Sequence, residues 1–381
     1  MGSVKYLFCI LILLSHNPYV ASFFKGSPTE PYIHCATQML LLFALYETGF
    51  IAGKQLYHGV YTDYKRFSIS RFFRIFPPCW LMLGLSFLLM PNSMLYLREG
   101  GNVFSDIASL DLGDKIFYYA SHVFLLINLL FYVSYDKATH SLDYFSIANH
   151  SSSVENAISL SVSPPLWTAL PDVIIMLGFS YFFFKRRTNS LIFIYFLLIV
   201  AQCLIIAKTI FGDWEFTIIY ENLAVTLIFL MTGFLFGYRE IRIPIKSKVK
   251  AGLLAFMLLP VLAIGTSAME MTNNYYASIF SFVIALVGYG VVCSLLWFAF
   301  SYKKFDMILR DLSVHIYLWH FMVYSIFYSY FKPEPISSIA LIVGYMVVVS
   351  AFAYYFERYN RHFVNYLLKK TAKTSHTHSI L

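Results

Sequence analysis

Eleven apolar runs, most of them about twenty residues long and separated by short clusters of lysine and arginine, leave this chain of 381 residues few ways to fold. Twenty residues of α-helix rise about 30 Å, the thickness of a bilayer's hydrocarbon core. In lipid every backbone N–H and C=O must find its partner inside the protein, so only helices or closed barrels cross, and runs of this length without strict alternation read as helices. Hydrophobic residues make up 59% of the chain and charged residues 13%, a balance that a soluble domain does not reach. The chain therefore reads as an all-α, polytopic integral membrane protein.

The first run follows Lys5 and contains His16. No small-x-small cleavage site closes it, so it reads as a first span rather than a signal peptide. The others cover residues 33–52, 72–90, 116–133, 163–184, 191–207, 216–237, 249–267, 279–300, 313–331 and 336–356. Basic clusters at 54–66, 185–187, 239–250, 303–310 and 358–373 mark cytoplasmic loops and a cytoplasmic end. This arrangement accounts for the net charge of +8 without a nucleic-acid partner, and no nucleic-acid motif is present.

A cytoplasmic start and a cytoplasmic end require an even number of crossings. Residues 71 and 185 both read as cytoplasmic, yet three runs lie between them, so one of the three stays on its own side. The expected misfit is 116–133, inside a polar and acidic stretch at 91–163 that then lies outside. About ten transmembrane helices plus one non-crossing or re-entrant apolar segment are predicted, with both termini cytoplasmic. A membrane domain over 1–366 and a basic tail over 367–381 complete the expected organisation. The five cysteines lie in or beside apolar runs without metal-ligand spacing, so neither a disulfide framework nor a metal site is expected.

Within this frame a few polar residues stand out. Arg71 and Arg74 in SRFFRIFPPCW share one helix face a turn apart. A single arginine there would be an interface anchor, whereas a pair of planar forks followed by Pro77, Pro78 and Trp80 suits a phosphate or carboxylate. His16 lies eleven residues beyond Lys5, roughly 16 Å deeper along a helix, and is either a packed histidine or a functional group. Glu47, near the end of the second span, is costly unless it is paired or close to the interface. Gly49 and Gly53 form a small-xxx-small face for close helix packing.

The ordered set LFCILILLSH, ETGFIAGKQL, SRFFRIFPPCW, LWTALPD, HIYLWHF and YYFERYNRHF resembles the membrane-bound acyltransferase family 3 from Lys5 to about His362. Members typically carry a basic residue about three turns before a first-span histidine, a Ser-Gly-Phe end to the second span and Arg-x-x-Arg entering the third. Trp-Ser-Leu-x-x-Glu, Tyr-Leu-Trp-His and Glu-Arg segments follow. This chain departs at Lys5, Thr48, Asp172 and His315, where arginine, serine, glutamate and a small polar residue are usual.

The resemblance implies transfer of an acyl group, usually acetyl from acetyl-CoA, to a hydroxyl of a bacterial surface polysaccharide such as O-antigen or capsule, or of its lipid-linked precursor. The implied setting is the inner membrane. His16 is then the catalytic base, with Asp172, Glu47 or Glu357 as the carboxylate that orients it. Lys5, Arg71 and Arg74 serve the CoA side, while Trp167, Trp319 and His320 serve the substrate. Acetyl-CoA is expected as co-substrate, without a metal; the partners are the acyl donor, a saccharide or lipid-linked glycan, and membrane lipids. The competing class is a transporter or flippase for a lipid-linked sugar, which would use intramembrane charges and helices broken near Pro77, Pro171 and Pro260.

Overall fold

The computed structural model describes residues 5–7, 9–10, 30–61, 63–89, 97–98, 101–126, 129–130, 133–144, 154–161, 173, 178, 180–185, 188–211, 223–238, 245–270, 275–300, 308–309, 312–313, 315–320, 322 and 338–377. The helices are α1 (Glu30–Tyr57), α2 (Tyr64–Leu89), α3 (Val103–Ser109), α4 (Leu112–Val123) and α5 (Ser180–Phe184). They continue as α6 (Thr188–Phe211), α7 (Leu223–Tyr238), α8 (Lys248–Glu270), α9 (Tyr275–Phe300) and α10 (Ser338–Thr377). Residues 5–7, 9–10 and 315–320 are also helical. Among the described residues three stretches are long and apolar enough to cross a membrane, Asn189–Ala207, Lys248–Thr266 and Tyr276–Phe300.

The tightest packing joins α1 to α7. A Cβ added to Gly49 or Gly53 would overlap the carbonyl oxygen of Leu230 or Phe234, and one added to Gly233 or Gly237 would overlap that of Tyr46 or Phe50. Each helix presents a small-xxx-small face to the other, so the backbones meet directly. Residue numbers rise together on the two sides, which makes α1 and α7 parallel.

The described part of the 116–133 segment is not one long helix. Its helix, α4, has 12 residues and reaches about 18 Å, short of the roughly 30 Å needed. Asp111 caps α4, accepting from Asp114 N at 2.7 Å. By Val133 the chain has become β1 (Val133–Asp136), which pairs antiparallel with β2 (Ser141–Tyr144) and β3 (Val154–Asn156) in the order β2-β1-β3. The buried Asp114 side chain ties helix to sheet, accepting from Leu142 N at 2.8 Å and Tyr144 Oη at 2.6 Å. These short strands are an addition to a helical protein that its sequence did not announce.

Two cores result. One gathers Leu42, Phe43 and Tyr46 of α1 with buried residues of α6 to α9, among them Val225, Phe229, Tyr289 and Cys293. The other gathers Cys9 and Ile10, the middle of α2, the small sheet module, Leu312, Ile316, Trp319 and Met322, and Val349 and Ala353 of α10. Helices α2 and α8 run unbroken through Pro77, Pro78 and Pro260. The expected breaks at those prolines are absent: each ring removes a donor, but the neighbouring turns hold the helical course. Pro171 lies outside the described residues.

Candidate functional site

The seam between the two cores holds the polar side chains that an apolar interior would otherwise exclude. Lys5, from the first helix, is buried and its Nζ donates to Thr48 Oγ1 at 2.8 Å; Thr48 in turn donates to Ala44 O at 2.9 Å. Glu47, the residue before Thr48, is 1% exposed. A buried cation and a buried carboxylate thus lie where the first helix meets α1. Lys5 is no surface anchor, because its stem and ammonium turn inward to Thr48.

Ser313 and residues 315–320 bring a second polar group to the core that holds Cys9. Cys9 Sγ donates to Ser313 O at 3.2 Å, and Tyr6 Oη lies 3.1 Å from Ser350 Oγ on α10, so the first helix touches both later elements. His315 is fully buried, and its Nε2 stands 2.6 Å from Glu357 Oε2. Arg361, one turn further along α10, donates to Glu357 Oε1 from Nη2 at 3.0 Å and from Nε at 3.2 Å. The Nδ1 atom of His315 and the indole Nε1 of Trp319 are buried without a hydrogen-bond partner among the described residues. Trp319 packs on Phe352 and Phe356, and the ring of Phe356 also meets His315. His320 is held by its own helix, with Nδ1 2.6 Å from Tyr317 O.

At the start of α2, Asp63 accepts from Arg66 N at 2.9 Å and sets the helix entry. Arg71 Nη2 donates to Gln55 Oε1 of α1 at 3.3 Å while its guanidinium lies 5.5 Å over the Phe67 ring. The fork is oriented before any ligand arrives. Arg74 is half-buried one turn on. The neighbouring ring of Phe73 packs against Phe363, which brings this basic end of α2 beside the α10 turn that follows Arg361.

The sequence-predicted residues thus fall into three places. Lys5 and Glu47 share the seam. Trp319, His320 and Glu357 line the α10 side with His315 and Arg361, and Arg71 and Arg74 lie at the α1–α2 end. His16, Trp167 and Asp172 lie outside the described residues. Trp80 belongs to none of them, because its Nε1 donates to Val123 O at 2.8 Å and docks α4 on α2. His315 was visible only as a departure from a pattern, and the i, i+4 spacing of Glu357 and Arg361 was a signal available in the sequence.

Searches of curated proteins and of solved structures returned no match. The acyltransferase 3 family profile, described as an acyltransferase domain, matches residues 2–358, a stretch that takes in the seam, the basic end of α2 and the His315–Glu357 pair. The chain belongs to the acyltransferase 3 family and is a membrane acyltransferase.

Proposed function

We propose that the protein transfers an acyl group, acetyl being the expected one, from acyl-CoA on the cytoplasmic side to a sugar hydroxyl of a surface polysaccharide or its lipid-linked precursor. The observation that carries this reading is the polar seam, set beside the basic end of α2 in a chain of an acyltransferase family. The hydroxyl oxygen bonds to the thioester carbonyl carbon, the C–S bond breaks, the hydroxyl proton passes to a base and CoA leaves as the thiolate. A sugar hydroxyl is a weak nucleophile, so the base must lie within hydrogen-bond reach. His16 has that role in this reading, with Lys5 and Glu47 shaping the charge of the helix pair that carries the site. Asp172 is a second candidate partner for His16.

Arg71 and Arg74 hold CoA phosphates, with the pantetheine arm directed inward, and Trp167, Trp319 and His320 border the acceptor path. Glu357 is already bonded to His315 and Arg361, so its part is to fix α10 against residues 315–320. Ten spans, an inner-membrane location and cytoplasmic termini complete the proposal. The test is incubation of the purified protein with radiolabelled acetyl-CoA and the host's surface glycan, followed by mass spectrometry. A gain of one acetyl group per modified sugar is expected. A protein that neither binds nor consumes acetyl-CoA would overturn the reading in favour of a transporter.

A further inference from the structure

Helix α4 has its polarity reversed for a helix of a water-exposed module. Leu112, Ile116, Tyr119 and Val123 fall on one stripe at i, i+4, i+7 and i+11, and with Phe124 they are 75%, 62%, 46%, 49% and 59% exposed. The opposite face, with Asp114, Tyr118, Ser121 and His122, is buried. Apolar side chains point out and polar ones point in, as they do where the surroundings are hydrocarbon.

The course of α4 along α2 gives its depth. The ring of Tyr119 meets that of Phe87 at 5.9 Å, and the carbonyl of Val123 accepts from Trp80. Four residues forward on α4 correspond to seven residues back on α2, so α4 descends beside it. Trp80 lies nine residues beyond Arg71 and nine before Leu89, about 13 Å from each, which is the middle of the apolar length of α2.

The end of α4 is finished without water. A helix leaves its last four carbonyls unpaired, and here each has a protein donor. Ala120 O accepts from Phe124 N at 2.9 Å, Ser121 O from Leu126 N at 2.6 Å, His122 O from Leu125 N at 3.2 Å, and Val123 O from Trp80 Nε1 at 2.8 Å. The pattern is a Schellman closure with a leucine, Leu125, in the left-handed position at φ 57°. Glycine is usual there and leucine costs about 1 kcal/mol, but Leu125 is fully buried in the core against α2. Complete internal satisfaction is what a helix end in lipid requires.

We propose that α4 is a re-entrant helix of the extracytoplasmic side, its carbonyl end near the middle of the bilayer and its apolar stripe facing the acyl chains of outer-leaflet lipids. The stripe continues the exposed apolar surface of α2 at Trp80, Leu81 and Leu88, so one lipid-facing surface runs across both helices. The proposal rests on the reading of α2 as a span.

The test places single cysteines at Leu112, Ile116 and Val123, labels each with bimane, and reconstitutes the full chain in phosphatidylethanolamine–phosphatidylglycerol vesicles carrying spin-labelled phosphatidylcholine. The unsubstituted chain, taken through the same labelling, sets the background. Quenching at Val123 is expected to be strongest with the label at carbon 12 of the acyl chain, and at Leu112 with the label near the headgroup. Iodide in the aqueous phase should quench Val123 several-fold less than Leu112. Equal iodide quenching at all three positions would place α4 in water and overturn the proposal, and protection from both quenchers would assign the stripe to a second copy or another protein. Lys65→Cys and Asn92→Cys, reacted with an impermeant maleimide, test the span separately: labelling from opposite faces keeps α2 as a span even where α4 fails.

Discussion

His315 and Glu357, 42 residues apart in the chain, meet at 2.6 Å in the interior and lock the helical residues 315–320 to α10. Glu357 is the hinge of this contact, because Arg361 holds its other oxygen. The two partners are unequal. The side chain of Arg361 is 48% exposed, whereas that of His315 is 1% exposed.

Arg361→Ala should therefore cost little, within about 1 kcal/mol, as for an ion pair near solvent. Glu357→Ala leaves an imidazole buried without its partner and should cost about 3 kcal/mol or more. Thermal unfolding followed by size-exclusion chromatography in detergent checks the order. Equal midpoints for the two variants would show that the pair carries no stability.

Gly233→Ala should separate α1 from α7, since the added methyl overlaps the carbonyl of Tyr46, and a cost of about 1–3 kcal/mol is expected for overpacking of this kind. Gly84→Ala is the control, as nothing stands within 4 Å of its new methyl. The measurement is the amount of folded, monodisperse protein recovered after a heating step. Loss at Gly84 equal to that at Gly233 would remove the backbone contact as the cause.

Arg71→Lys and Arg74→Lys keep the charge and lose the fork. A charge-assisted hydrogen bond is worth about 1.5–3 kcal/mol, so apparent affinity for acetyl-CoA should fall about tenfold or more, with acceptor affinity little changed. Binding to the purified variants decides between the two roles. Wild-type affinity would return both arginines to membrane anchoring, with Arg71 stacked on Phe67 for structural reasons alone.

His16→Ala should abolish acyl transfer while leaving expression and membrane insertion unchanged. Glycan acetylation measured by mass spectrometry in cells carrying the variant is the readout. Retention of most of the wild-type level would mark His16 as a packing residue.

The helical class and the tight glycine face at Gly49 and Gly53 were legible, because each follows from composition or local spacing. Gly233 and Gly237 carried the same four-residue signal but sat in a run so apolar that no face stood out. The His315–Glu357 contact was illegible for a different reason: a pair that closes a loop of 42 residues leaves no periodic trace. Trp80 was read with the arginines through proximity in sequence, yet nine residues of helix turn and lift it away from them to the end of α4. The strands around Tyr135 were hidden by their brevity, since three or four residues do not establish an alternation.

Helix α10 has 40 residues without an interruption, about 60 Å of continuous backbone, roughly twice what a bilayer needs. Its first half carries Ser350 against the first helix, and Glu357 stands at its midpoint. A rod of this kind transmits torque. Anything that gripped the half beyond Glu357 would turn the clasp on His315 with it, because one stiff shaft joins the two.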